Sequence, residues 1–192
     1  MEVPRITMRN GVRVLVAGLA LGTVCAVFPG TAMSQSDLLT REEALAAVFP
    51  GARFEAERVF LTDDQITRAQ ELAGGDPSRA LVARYIARRD GEIVGRAYVD
   101  THVVRTKRES LLISLDVNRE VRRVDVTAFL EPPEYVASER WLQQYQERAL
   151  DGDLAVGRAI RPIAGGTLTG AAANAAVRRV LAIDQVLESA AE

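Results

Sequence analysis

The sequence predicts an α+β domain: an antiparallel sheet of hairpins with its helices packed on one side. Three observations carry this. First, "ALVARYIARRDGEIVGRAYVDTHVV", residues 80–104, is two β-rich runs about Asp90–Gly91, a two-residue hairpin signal. Second, "SLLISLDVNREVRRVDVTAFL", residues 110–130, repeats the arrangement about Asn118–Arg119. Val121, Val124, Val126 and Ala128 sit among charges there, as in a half-buried strand. Third, segments of helical period flank this block on both sides.

In chain order, Arg5, Arg9 and Arg13 precede the apolar run Val14–Phe28, and Ala32 and Ser34 follow as small residues at cleavage-site spacing. Residues 1–34 therefore read as a signal peptide cut after Ser34, leaving a single domain over 35–192. An uncleaved membrane anchor is the alternative, and the apolar run is short for a span. Thr40 and Glu43 form a capping box before a helix carrying Ala44, Val48 and Phe49 on one face, with Pro50–Gly51 as its stop. "RFEAERVFL" (53–61) has strand character. Thr62 and Gln65 repeat the capping box, and Gly74–Gly75 ends that second helix.

After the hairpins, Pro132–Pro133 breaks the sheet. Ser138 then caps a helix over "ERWLQQYQERAL" with Trp141, Leu142, Tyr145 and Ala149 on one side. The last helix is expected from about Gly170, with Ala173, Ala176, Val177, Val180 and Leu187 as its apolar stripe.

Composition narrows the function. A net charge of −2, with arginines scattered among carboxylates and Lys107 the sole lysine, gives no footprint for nucleic acid. Loss of residues 1–34 removes Cys25, the only cysteine, and with it disulfides, thiol catalysis, iron–sulfur clusters and thioether-linked haem. His102 is the only histidine, which excludes a catalytic triad and a multi-histidine metal site. At a strand end it reads as a hydrogen-bonded structural residue. Glu131 and Glu134, flanking prolines, are the carboxylate pair a hydrolase would use.

"PIAGGTLTG", residues 162–170, is the stretch with the most specific chemistry. Gly165 and Gly166 allow positive φ and close approach of a ligand to the backbone. Thr167, Thr169 and the first N–H groups of the following helix converge where an anion is stabilised. The alternative is that Thr169 merely caps that helix. No Gly-Lys-Ser/Thr occurs, so this is not a P-loop.

"AGGTLTGAAANAAVRRVL" resembles the flavinylation motif of the FMN-binding domain family, found in subunits of sodium-pumping NADH:quinone reductase and of the Rnf complex and in small secreted proteins. "FLEPPEYVASERWLQQY" resembles the Glu-x-Pro segment and aromatic helix of the same family. "THVVRTKRESLLISLD" is similar to its strand-turn-strand. The likeness runs over roughly residues 80–183. Ala164 stands where the motif has Ser or Thr, Gly166 where it has Ala, and Arg161 where an aspartate is common.

The resemblance implies FMN-binding-domain-like architecture and FMN joined through a phosphoester to Thr167, attached by a separate flavin transferase. It implies that Gly165 and Gly166 make room, that Leu168 packs under the loop, and that Thr169 helps hold the phosphate. Tyr135, Trp141 and the Glu131–Pro132 segment are its candidates for the ring, with His102 or Arg105 near ring or phosphate. The protein would then be an electron carrier in the periplasm or another extracytoplasmic compartment, with no catalytic residue and no metal. Its redox partner would be a membrane-bound reductase or cytochrome. The rival is an exported binding or structural module without flavin.

Overall fold

A computed structural model describes residues 38–75 and 80–189. The signal segment 1–34 and Cys25 lie outside the described residues. The elements run α1 (Arg41–Val48), β1 (Arg53–Phe60), α2 (Asp63–Ala73), β2 (Leu81–Arg89), β3 (Glu92–Val103), β4 (Arg108–Leu115), β5 (Val121–Phe129), α3 (Glu139–Leu142) and α4 (Thr167–Ser189). The five strands form one antiparallel meander in sequence order. The α+β class is therefore observed, with β1 joining the two expected hairpins as a fifth, edge strand.

Local chemistry explains most boundaries. Thr40 with Glu43 and Thr62 with Gln65 close both expected capping boxes, and α2 ends on Gly74 at φ 68. Asp90 and Gly91 take φ of 53 and 89, the left-handed pair that a two-residue hairpin needs. At the second turn Asp116 Oδ1 accepts the N–H of Asn118 at 2.8 Å, and Arg119 takes φ 68.

The helices are not all on one side. Tyr98, Leu111, Ile113, Val124 and Val126 point to the face covered by α2 and α4, where Val177, Val180 and Leu181 meet them. The alternate residues Ala87, Ala97 and Leu112 point to the other face and pack on Ala44, Leu45, Val48 and Phe49 of α1 and its end. Small strand residues let this short helix come close. A Cβ on Gly95 would lie 2.3 Å from the Phe49 ring and 2.5 Å from the Leu115 carbonyl oxygen, so the phenyl ring rests against bare backbone. The continuous burial of Leu111, Leu112 and Ile113 follows, because a strand covered on both faces has no polar side.

Two other elements differ from expectation. The helix after Ser138 holds only through Leu142, then tightens to a 3-10 turn over Gln143–Tyr145. It stops because Glu147, at φ 59, and Arg148 exchange backbone hydrogen bonds with Val121 at the start of β5. Conversely α4 begins three residues before Gly170, at Thr167.

Along α4, polar bridges fix the long helix to the sheet. Asp184 Oδ1 accepts from Tyr98 Oη at 2.8 Å, and Glu188 receives Arg84 and Arg96, each at 2.7 Å. These bonds hold the C-terminal half, leaving the N-terminal turns of α4 at the end of the sheet where β3 finishes and β4 begins.

Candidate functional site at the start of helix α4

The chain enters α4 through a glycine turn. Gly165 has φ 77, Gly166 N–H donates to Ile163 O at 3.3 Å, and the first helical bond runs from Gly170 N to Gly166 O at 2.9 Å. Gly166 is therefore the N-cap, and the N–H groups of Thr167, Leu168 and Thr169 precede any intrahelical partner. Thr167 is exposed and its hydroxyl makes no hydrogen bond among the described residues. Gly166 is buried, and a Cβ there would meet Ile163 Cγ2 at 2.7 Å.

Thr169 plays a different part from the one expected. It is buried, and its Oγ1 donates to the Tyr135 carbonyl at 2.8 Å. It neither caps the helix nor offers its hydroxyl hydrogen to an anion; it ties the helix start to the 3-10 turn at Pro133–Tyr135.

A third wall comes from the β3–β4 loop, closed by Val104 N donating to Lys107 O at 3.0 Å. Glu131 Oε1 accepts the backbone N–H of Thr106 at 2.6 Å, of Lys107 at 2.7 Å and of Arg105 at 3.3 Å, plus the Thr106 hydroxyl at 3.3 Å. The bonds from the Thr106 and Lys107 amides hold this carboxyl below the usual range. Glu131 thus clamps a loop, which argues against an acid–base pairing with Glu134.

Between the three walls lies a cleft of about 610 Å³, lined by Val104–Thr106, by Glu131, Pro132, Glu134 and Tyr135, and by residues 165–169. Ligand pockets commonly run from about 300 to 1,000 Å³. The structure brings Gly165, Gly166, Thr167, Leu168, Thr169, Glu131 and Tyr135 together here. Leu168 does not pack under the loop: it is 54% exposed, and Tyr135 is 44% exposed, so both present apolar surface at the cleft. Ile163 instead fills the space beneath.

Trp141 stands behind the cleft rather than in it. Its Nε1–H donates to Arg161 O at 2.6 Å, its ring meets Tyr145 edge-on at 5.6 Å, and a Cβ on Gly170 would lie 3.5 Å from its Cζ2. It supports the glycine turn as a buttress.

His102 belongs elsewhere. It follows Tyr98 and Asp100 on the α4 side of β3 and lines a separate cavity of about 620 Å³ between β2, β3 and α4. Its Nδ1 lies 2.9 Å from Asp100 Oδ1 and its Nε2 3.1 Å from Glu109 Oε2. Asp100 also receives Arg179 through two nitrogens, at 2.8 and 3.0 Å. Burial opposes a charge on His102, but the Asp100 and Glu109 bonds outweigh it and push its pKa up to about 9. Burial likewise works against the Asp100 carboxylate, whose bonds to His102 and Arg179 nonetheless hold it below its ordinary value. His102 is thus a charged bridge between two carboxylates, as a structural histidine would be.

Pro132, expected with Glu131 beside the ring, lines the cleft, and sequence reasoning missed Val104 and Thr106 as parts of the site. They meet Thr167 only because the β3–β4 loop and the segment after β5 emerge at the same end of the sheet. Chemically, the cleft offers the Thr167 hydroxyl, with those of Thr106 and Tyr135 also exposed, N–H groups without a partner among the described residues and the cation Arg105, beside open apolar surface. Among the described residues, no group of three or more His, Cys, Asp and Glu side chains is arranged to hold a metal ion, and no helix is long and apolar enough to cross a membrane. No protein-family model, curated protein or solved structure matches this chain.

Proposed function

We propose that this chain is an extracytoplasmic FMN-binding electron carrier whose flavin phosphate is esterified to Thr167. The observation that carries the reading is the Thr167 hydroxyl: exposed, without a hydrogen-bond partner among the described residues, and at the first position of a long helix beside an open cleft.

The residues fit such a group. The orphan N–H groups of Thr167, Leu168 and Thr169 and the positive end of α4 favour a phosphodiester's remaining negative charge. Arg105 lines the same cleft. Gly166, with no room for a Cβ over Ile163, seats the turn on that side chain and so fixes where Thr167 stands. Tyr135 and Leu168 supply exposed apolar surface for an aromatic ring, and Glu131 fixes the facing loop.

Attachment would be performed by a separate transferase. The Thr167 oxygen bonds to the flavin-side phosphorus of FAD, the phosphoanhydride bond breaks, AMP leaves, and the hydroxyl proton is lost. When bound, the flavin supplies the redox chemistry. The chain itself holds the phosphate, limits water at one face and sets how far the ring is exposed to a membrane-bound reductase or cytochrome.

The test is the intact mass of the exported protein made in cells that also express a flavin transferase, beside Thr167→Ala. A gain of FMN minus one water, absent from the variant, is expected. Yellow colour lost on denaturation without the mass gain overturns the ester and keeps the flavin. A colourless protein without the gain overturns the reading and leaves the exported binding or structural module.

A further inference from the structure

The cavity beside His102 has no part in the flavin reading. It opens because α4 presents small residues there: Ala172 and Ala175, one turn apart, face β2 and β3, and Arg179 follows on the same helix face. Leu81 and Val103, exposed by 47% and 56%, stand at its edge. Its remaining walls include Val82, Val99, Val180 and Ile183.

Charge distinguishes this cavity from a plain apolar groove. His102, Arg179 and Arg58 line it against the single carboxylate Asp100, with Glu109 behind His102. Asp100 pairs with both His102 and Arg179, whereas Arg58 has no ion-pair or hydrogen-bond partner among the described residues. The wall is therefore net positive next to apolar surface, in a space of about 620 Å³. Arg58 is exposed, whereas His102 and Arg179 are largely buried. Cations beside apolar surface favour an anion, and the alanines leave room for an apolar body next to it.

We infer that this cavity is a second binding site, for a small amphipathic monoanion. A carboxylate or sulfonate head lies toward Arg58 and the His102–Arg179 pair, and an apolar chain or ring lies along Ala172 and Ala175. The site is independent of Thr167 and of any flavin.

The test uses the exported Thr167→Ala protein, purified without a transferase, and anilinonaphthalene sulfonate as probe, with decanoate and decanol as competitors. Saturable fluorescence is expected, displaced by decanoate at least about tenfold better than by decanol. Arg58→Glu reverses an exposed charge and Ala175→Leu fills the cavity; each is expected to weaken the probe about tenfold or more. Leu168→Ser, in the other cleft, is expected to leave it unchanged. Absence of saturable binding overturns the site. So does binding that Leu168→Ser abolishes, or that Arg58→Glu and Ala175→Leu leave intact. Equal displacement by decanol overturns the anionic class. Because the protein tested carries no flavin, none of these outcomes bears on the reading of Thr167.

Discussion

Two cavities of nearly equal size lie along α4, one at its start and one beside Ala172–Ile183, and they are built in opposite ways. The cleft at Thr167 is made of loops held by hydrogen bonds to their backbone, and the Thr167 hydroxyl has no partner among the described residues. The cavity at His102 is made of strand and helix residues, and all of its charged lining side chains but Arg58 are bound in one chain: Arg179 to Asp100, Asp100 to His102, His102 to Glu109. The first arrangement suits covalent attachment, which needs an exposed nucleophile reachable by a second enzyme. The second suits reversible binding, since a preformed charge pattern costs nothing to organise when a ligand arrives.

The largest expected effect breaks the second cavity. Asp100 is the carboxylate shared by Arg179 and His102, with side-chain exposure of 11%. Asp100→Ala takes the shared carboxylate away from two largely buried cations. Removing one partner of a buried charged set costs about 3–5 kcal/mol. Urea unfolding should show that loss, whereas Thr167→Ala should stay within about 0.5 kcal/mol of the parent, as exposed positions do. Equal stabilities for the two variants would erase the distinction between the cavities.

The pH dependence separates them next. His102 has a folded pKa of about 9 against 6.5 for the free side chain. Its contribution is therefore complete below about 6.5 and is lost as pH rises through about 9. The melting temperature should fall between pH 7 and 10, and His102→Gln should flatten that fall. Glu131 acts at the other end of the scale. Its carboxyl is held below the ordinary 4.5, so its contribution is present above that value and disappears as pH falls through the lower one. Acid should therefore loosen the loop at Arg105–Lys107 first, seen as faster amide exchange there. Glu131→Ala should reproduce that exchange at neutral pH.

How much of this was legible depended on sequence distance. Asp90–Gly91 and the Thr40 and Thr62 capping boxes act within four residues, and the structure keeps them all. The glycine turn at Gly165–Gly166 leading into a helix was legible for the same reason. Contacts set by strand register were not. Glu131 meets the amides of Thr106 and Lys107 only because β4 lies between β3 and β5, and Asp100 meets Arg179 across 79 residues. The second covered face had one sequence signal, the unbroken apolar run at Leu111–Ile113, which no one-sided sheet requires. The short helix after Ser138 had none, because Val121 competes for the backbone of Glu147 and Arg148.

The smallest expected effect sharpens the account of the cleft itself. Gly166 stands where the resembling motif has alanine, and a Cβ there would lie 2.7 Å from Ile163 Cγ2 and 3.3 Å from Ile163 Cβ. Ile163 thus occupies the volume an alanine would claim, so the two positions are coupled. Overpacking a fitted interior costs about 1–3 kcal/mol. Gly166→Ala should fall at the low end, because Ile163 is only half-buried and its side chain turns aside more easily than backbone. In an Ile163→Ala background the same substitution should cost measurably less, giving a coupling of about 0.5 kcal/mol or more in a double-mutant cycle. Strict additivity would mean that the backbone, not Ile163, absorbs the new methyl group. The turn would then be loose enough to shift Thr167. A positive coupling leaves Thr167 in place and identifies Ile163 as the residue that fits this helix start to glycine.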